Sequence, residues 1–179
     1  MGRPKQLLLI NKKQLIVHAT DTALESIADR VVVVLGANDK ELSAVLANST
    51  AKIVINRNWE KGMGTSLKLG LKFLVKDLSG LDGVLVMVCD QPLVTTAHLN
   101  SLISTQPASG KGIAASAYAG TLGVPALFQK KFFDEIMSLG DDEGAKKLIS
   151  KHPNDISSVA FPDGAIDLDT PEDYRNFAG

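Results

Sequence analysis

Residues 84–94, Val-Leu-Val-Met-Val-Cys-Asp-Gln-Pro-Leu-Val, constrain the fold more than any other stretch of this chain. The apolar run after Asp82-Gly83 predicts a strand over 84–89, buried on both faces of a parallel sheet. It stops at Asp90, and Pro92 blocks further ladder pairing. Open α/β sheets place ligands beyond the carboxyl ends of their strands, so Asp90 is expected at the lip of a site. A carboxylate there suits Mg²⁺ when the substrate brings phosphates, since Mg²⁺ takes one or two carboxylates plus phosphate oxygens. The plainer reading makes Asp90 only the start of a turn into a helix beginning near Thr95.

Composition narrows the classes. The 179 residues predict one domain, 1–179, with room for a substantial core. A 45% hydrophobic and 22% charged content is that of an ordinary globule, and a net charge of −1 without long basic runs argues against a nucleic-acid partner. No apolar stretch approaches the roughly 18 residues that cross a bilayer, and the start does not read as a signal peptide. Cys89 is the only cysteine, so no intramolecular disulfide forms; a cytoplasmic home is the simplest inference. Inside the apolar strand it reads as a small core residue.

Strands and helices alternate along the chain. Apolar spacing predicts a helix over 15–28, a strand over 31–35, a helix from an Asp39 cap to 47 and a short strand at 53–55. An amphipathic helix is expected over 66–76 and another over 96–104, with 107–112 as a loop. Strands follow at 113–118 and 124–128, helices at 131–139 and 143–150, and a strand, turn and helix close the chain from 158 to 177. This pattern predicts a Rossmann-like three-layer αβα sandwich with a mainly parallel sheet; the 113–128 pair adds an antiparallel element.

Several positions carry candidate chemistry. Lys5 is a point charge suited to the β- and γ-phosphates of a nucleoside triphosphate. Gly62 and Gly64 let the backbone approach a ligand closely, and Thr65 or Ser66 is expected to cap the following helix, whose amides and dipole suit ribose or phosphate oxygens. This is not a Walker A loop, because Gly-Lys-Ser/Thr is missing. Asn56, ending the third strand, is a candidate nucleobase-side contact. Thr170-Pro171-Glu172-Asp173 reads as a helix start. Asp167 and Asp169, two apart on a short strand, are expected to point the same way. Asp-Leu-Asp-Thr also fits the nucleophile motif of haloacid-dehalogenase phosphatases, but that motif follows the first strand of its fold, and here it closes the chain. His18, His98 and His152 lack ligand spacing, and Trp59 reads as a packing residue.

Taken in order, these segments resemble the MobA-like NTP transferases of the molybdenum-cofactor nucleotidyltransferase group. Met1-Gly2-Arg3-Pro4-Lys5 matches the ending of the family's first nucleotide-binding loop, and Gly62-Met63-Gly64-Thr65-Ser66-Leu67 its second. Asp90-Gln91-Pro92 matches its metal-site motif, Gly123-Val124-Pro125-Ala126 and the 140–145 stretch its acceptor-side segments, and Asp167-Leu168-Asp169-Thr170-Pro171-Glu172-Asp173 its closing motif. The resemblance implies a nucleotide-diphospho-sugar transferase type of fold. It implies Mg²⁺ held by Asp90 with Asp169 or Asp167, and nucleotide contacts from Gly2, Arg3, Lys5, Asn56, Gly62, Gly64, Thr65, Ser66 and Asp90. Lys5 and Asp90 are its catalytic candidates. CTP or GTP is the implied donor, CTP favoured by the form of the second loop, and molybdopterin the implied acceptor. Molybdopterin cytidylyl enzymes commonly carry Gly-His-Pro where this chain has Gly123-Val124-Pro125, which keeps a sugar-phosphate or alcohol-phosphate acceptor open.

The family's first strand and the opening of its first loop have no counterpart before Met1. The expectation is therefore weak binding and turnover by this chain, with a catalytically impaired nucleotide-binding protein as the alternative. An unpaired sheet edge would favour self-association as a homo-oligomer.

Overall fold

The structure, a computed structural model, describes residues 4–168 and 171–178. After a 3₁₀ turn at Lys5–Leu7, a two-residue hairpin pairs β1 (Leu9–Ile10) with β2 (Lys13–Gln14) and leads into α1 (Leu15–Leu24). Next come β3 (Val32–Leu35), α2 (Asp39–Val45), β4 (Lys52–Ile55), α3 (Met63–Asp77) and β5 (Gly83–Val86). The second half runs through α4 (Thr96–Ser109), β6 (Ile113–Tyr118), β7 (Thr121–Gln129), α5 (Phe133–Met137), α6 (Ala145–Lys151), β8 (Ile156–Ala160) and α7 (Pro171–Ala178).

A four-stranded sheet has the order β5-β7-β6-β8; β7 is antiparallel to β5 and β6, and β6 is parallel to β8. Three of its strands therefore run one way, and β7 is the reversed element. β3 and β4 form a separate parallel pair, and among the described residues no ladder joins β3 to β5.

Alternation along the strands builds the layers. Ile113, Ala115, Ala126 and Phe128 face a core completed by Leu71 and Leu74 of α3, Ile136 of α5 and Leu148 of α6. Ala114 and Leu127 point to the opposite face, against Leu102 of α4. Period-2 alternation of half-apolar strands thus yields an αβα sandwich.

Several element ends differ from the sequence reading for local reasons. α1 stops at Leu24 because the Ser26 hydroxyl donates to the Ala23 carbonyl at 2.6 Å, offering the backbone an alternative to another helical turn. Ile27, counted in the helical pattern, is left exposed. α4 runs past Pro107 to Ser109 and ends at Gly110, whose φ of +69° is the left-handed conformation that closes helices. Asp39 is the first residue of α2 rather than its cap, since Asn38 occupies that position with φ +59°. The strand predicted over 84–89 stops at Val86, which pairs with Ala126. One step further the partner on β7 is Pro125, which has no N–H to give. Opposite β6 the register shifts between Ala115 and Ser116, from Ala126 to Gly123, so that Val124 and Pro125 bulge out.

Candidate active site

At the carboxyl ends of the parallel strands, Asp90 follows β5 in a turn, and its carboxylate accepts a hydrogen bond from the Lys5 ammonium at 2.8 Å. Both side chains are about a quarter exposed, so the pair is reachable from solvent. Lys5 is placed by the 3₁₀ turn whose last residue, Leu7, is buried with Ile16, Leu35 and Leu42. The closing segment reaches the same place, because the Leu168 N–H donates to the Asp90 carbonyl at 2.9 Å. Leu168 is fully buried against Ile10 and Leu15, which leaves Asp167 exposed beside Asp90. Residues 166–168 are not a strand, so the same-side argument for Asp167 and Asp169 does not apply. Gly2, Arg3 and Asp169 lie outside the described residues.

The glycine loop forms the second half of the site. Gly62 precedes α3 with φ +123°, and the helix starts at Met63, so Thr65 and Ser66 sit in its first turn rather than at its cap. Asn56 follows β4, is 3% exposed, and donates from its amide to the Thr65 and Ser66 hydroxyls at 2.8 and 2.9 Å. Its side-chain carbonyl accepts from the Asn58 N–H at 2.9 Å. Asn56 thus ties the strand end to the loop from inside. A Cβ on Gly64 would lie 2.1 Å from the Gly140 carbonyl oxygen and 2.8 Å from that of Glu143. The close approach that these glycines allow is to the 140–143 backbone. The Gly64 N–H donates to the Asp141 carbonyl at 2.9 Å, and the Lys68 ammonium reaches the Leu139 carbonyl and the Asp141 carboxylate, at 3.0 and 2.7 Å. That bond, and then the charge of Lys68, hold the Asp141 carboxyl below the usual carboxylate range.

The sequence reading did not find this clamp, nor the buried network that links α4, β6 and β7. Ser116 donates its hydroxyl proton to the Pro125 carbonyl at 2.6 Å, so His98, whose Nε2 lies 2.7 Å from Ser116 Oγ, must donate its Nε2–H to that hydroxyl oxygen. His98 stacks on Phe161 at 4.4 Å, and burial lowers its pKa. The sequence signal was a single polar residue in the apolar run Ile113–Tyr118. Tyr118 stands near Asp90 and Asp167; its phenol is raised first by burial and then by those charges, opposed by Gln91. Burial and the neighbouring Asp90 push the Cys89 thiol up to about 11. His18 donates to the Pro92 carbonyl at 3.0 Å, and His152 meets Glu135 at 2.7 Å. Trp59 packs over Gly36 and remains 43% exposed.

Among the described residues no three His, Cys, Asp or Glu side chains gather into a metal cluster. The donor set still fits Mg²⁺, which keeps waters and takes one or two carboxylates plus substrate phosphates rather than a dedicated protein cage. Asp90, with Asp167 alongside, supplies that number.

The sequence profile of the MobA-like NTP transferase domain matches residues 1–156. The chain belongs to the MobA-like NTP transferase family. It is a nucleotidyltransferase. It is 29% identical over 184 residues to the purine catabolism protein PucB of Bacillus subtilis, covering 97% of this chain and 87% of PucB. It is also 29% identical over 190 residues to the nicotine blue oxidoreductase of Paenarthrobacter nicotinovorans, covering 98% of this chain and 89% of that protein. The crystal structure of Rv0371c from Mycobacterium tuberculosis superposes with a TM-score of 0.85 at 28% identity, over 99% of this chain and 90% of that one. A second structure of Rv0371c, at 27% identity and a TM-score of 0.81, is a complex with manganese and covers 97% of this chain and 90% of that one. Among the described residues no helix is long and apolar enough to cross a membrane.

Proposed function

We propose that this MobA-like transferase moves a nucleoside monophosphate, CMP in preference to GMP, from a Mg²⁺-bound triphosphate to molybdopterin, with release of pyrophosphate. The acceptor phosphate oxygen forms the new bond to the α-phosphorus, the bond from that phosphorus to the β-phosphate oxygen breaks, and pyrophosphate leaves with the electron pair. Both reactants are anions, so positioning and charge neutralisation carry the rate. No nucleophile–base pair is needed.

The observation that carries this reading is the Lys5–Asp90 pair at the strand ends, with the Asp167–Leu168 segment bonded to Asp90. Asp90 and Asp167, with Asp169 in the same motif, are the residues that would hold Mg²⁺. Bound there, the ion supplies charge neutralisation at the α-phosphate and orients the acceptor. Lys5 with Gly2 and Arg3 holds the leaving pyrophosphate. Gly62, Gly64, Thr65 and Ser66, fixed by Asn56, shape the nucleoside side. The Met63-Gly64-Thr65-Ser66 form of the loop favours CTP. The manganese complex of Rv0371c supports a divalent ion. Val124, in place of histidine, leaves a phosphorylated sugar or alcohol as the competing acceptor.

The test is thermal unfolding with MgCl₂ and CTP, GTP, ATP or UTP in turn. A ligand at a hundred times its dissociation constant adds about 2.7 kcal/mol. A Mg²⁺-dependent rise with CTP, lost in Asp90→Asn, is the expected result; no rise with any nucleotide would remove the reading.

A further inference from the structure

Resting on that reading of the glycine loop, we infer that Lys68 is a positioning residue for the nucleotide: it ties the 139–143 loop to α3 and so sets the shape of the Gly62–Ser66 segment. Lys68 lies four residues after Gly64, one turn further along α3 and on the same face. Helical side chains lean towards the N-terminus, so its ammonium reaches back over Gly64. There it donates to the Leu139 carbonyl at 3.0 Å and to the Asp141 carboxylate at 2.7 Å. The side chain is 22% exposed, too covered for a solvated helix lysine.

The loop is held in two ways, and only one joins it to the site. Its turn is closed from within, where the Gly140 N–H donates to Glu143 Oε2 at 2.8 Å and the Glu143 N–H to the Gly140 carbonyl at 3.1 Å. Lys147 pairs with the same carboxylate from α6. The attachment to α3 runs through the Gly64 N–H bond to the Asp141 carbonyl, at 2.9 Å, and through Lys68. On the inner side Asn56 holds the Thr65 and Ser66 hydroxyls, so the segment is gripped between a buried amide and the loop. Loss of Lys68 leaves the turn intact and loosens the grip. The Lys68–Asp141 pair is exposed enough to add little to global stability. Its effect falls on local order, because a preformed segment meets a ligand without the entropy loss of being ordered on binding.

Calorimetric titration of the full chain with Mg²⁺–CTP, or with Mg²⁺–GTP where that is the nucleotide taken, tests this without turnover. Lys68→Met is expected to bind about tenfold more weakly, the scale of one hydrogen bond to a charged group. Its urea midpoint is expected to stay near that of the unaltered chain, while hydrogen exchange over 139–144 quickens. Lys68→Arg keeps a cation with donors for both oxygens and is expected to bind within about twofold of the unaltered chain. Asp141→Ala separates position from charge by sign, and carries the test if Lys68→Met does not fold. Removing an acid beside an anionic ligand tightens binding if charge alone matters. Loss of the Lys68 anchor is expected instead to weaken it about threefold, the scale of one exposed ion pair. Unweakened binding by folded Lys68→Met or by Asp141→Ala overturns this inference alone, as does a loss that Lys68→Arg fails to restore. Failure of the unaltered chain to bind CTP, GTP, ATP or UTP with Mg²⁺ overturns the proposed function and the inference with it.

Discussion

The backbone N–H of Leu168 donates to the carbonyl of Asp90 at 2.9 Å, which fixes the closing motif against the turn after β5 that carries the candidate metal ligand. Leu168 is fully buried with Ile10 and Leu15, so the hydrogen bond is held in register by packing on the far side. Asp167 owes its place near Asp90 to that anchor. Leu168→Ala is therefore expected to cost about 2–5 kcal/mol of stability through the cavity it leaves, measurable by urea unfolding. It is also expected to weaken Mn²⁺–nucleotide binding, although residue 168 presents no metal ligand. Unchanged metal affinity in a folded variant would show that the Asp167 segment takes no part in the site.

Asp90→Asn keeps the shape of the side chain and removes its charge. If the carboxylate holds the metal, pyrophosphate release is expected to fall by about a hundred- to a thousandfold, the scale for losing one preorganised charge-stabilising group. Stability should change little, because the Lys5–Asp90 pair is partly exposed, and such pairs contribute under about 1 kcal/mol. Retained turnover would move the metal elsewhere.

The pH dependence of folding has a readable contribution from His98. Its folded pKa is lowered from 6.5 by burial, so the unfolded chain takes up the proton first as pH falls. Stability from this group is complete above about 6.5 and is lost as pH falls below that value towards the folded pKa. His98→Gln retains an N–H donor for the Ser116 oxygen but does not titrate. Urea midpoints between pH 5 and 7 are expected to fall less steeply in the variant than in the unaltered chain. Equal slopes would mean that His98 already shares its proton with solvent in the native state.

Part of this arrangement was legible in the sequence and part was not. Asp90 could be placed in the turn beyond a strand because an unbroken apolar run is a strong local signal and Pro92 punctuates it, although the strand itself stops at Val86. The turn chemistry of Asp90 and the glycines at 62 and 64 is equally local. The Lys68 clamp on Leu139 and Asp141 was invisible, since nothing near Lys68 distinguishes it from a solvated helix lysine. The same holds for Ser116 and His98, which satisfy one another across 18 positions. The strand after Gly83 was read as too long because the missing donor, Pro125, lies on another strand. Gly64 was read as letting the backbone approach a ligand; in the structure the backbone that approaches it closely belongs to the chain itself.

Cys89 provides a chemical test of burial at the site. With its thiol raised to about 11, only about one molecule in a thousand carries thiolate at pH 8. A disulfide reagent such as dithionitrobenzoate is expected to react with the native chain at least about a hundredfold more slowly than with the chain in urea. Rapid native labelling would mean that the segment after β5 opens to solvent.

Gly64→Ala decides between two effects of opposite sign. In an ordinary helix interior, Gly to Ala stabilises by about 1 kcal/mol. Here the added Cβ would meet the Gly140 oxygen at 2.1 Å, and that atom belongs to backbone rather than to a side chain that can swing away. The 139–144 loop must then retreat from the start of α3, which breaks the bond from Gly64 N–H to the Asp141 carbonyl. Overpacking of this kind costs about 1–3 kcal/mol, so the net effect is expected to be destabilising. Gly70→Ala in the same helix meets only a Val34 methyl at 3.1 Å and serves as the control. Urea unfolding should show Gly64→Ala lower than Gly70→Ala, with faster hydrogen exchange over 139–144 in the former. A stabilised Gly64→Ala would mean that the loop gives way without loss and that the glycine is retained for a ligand.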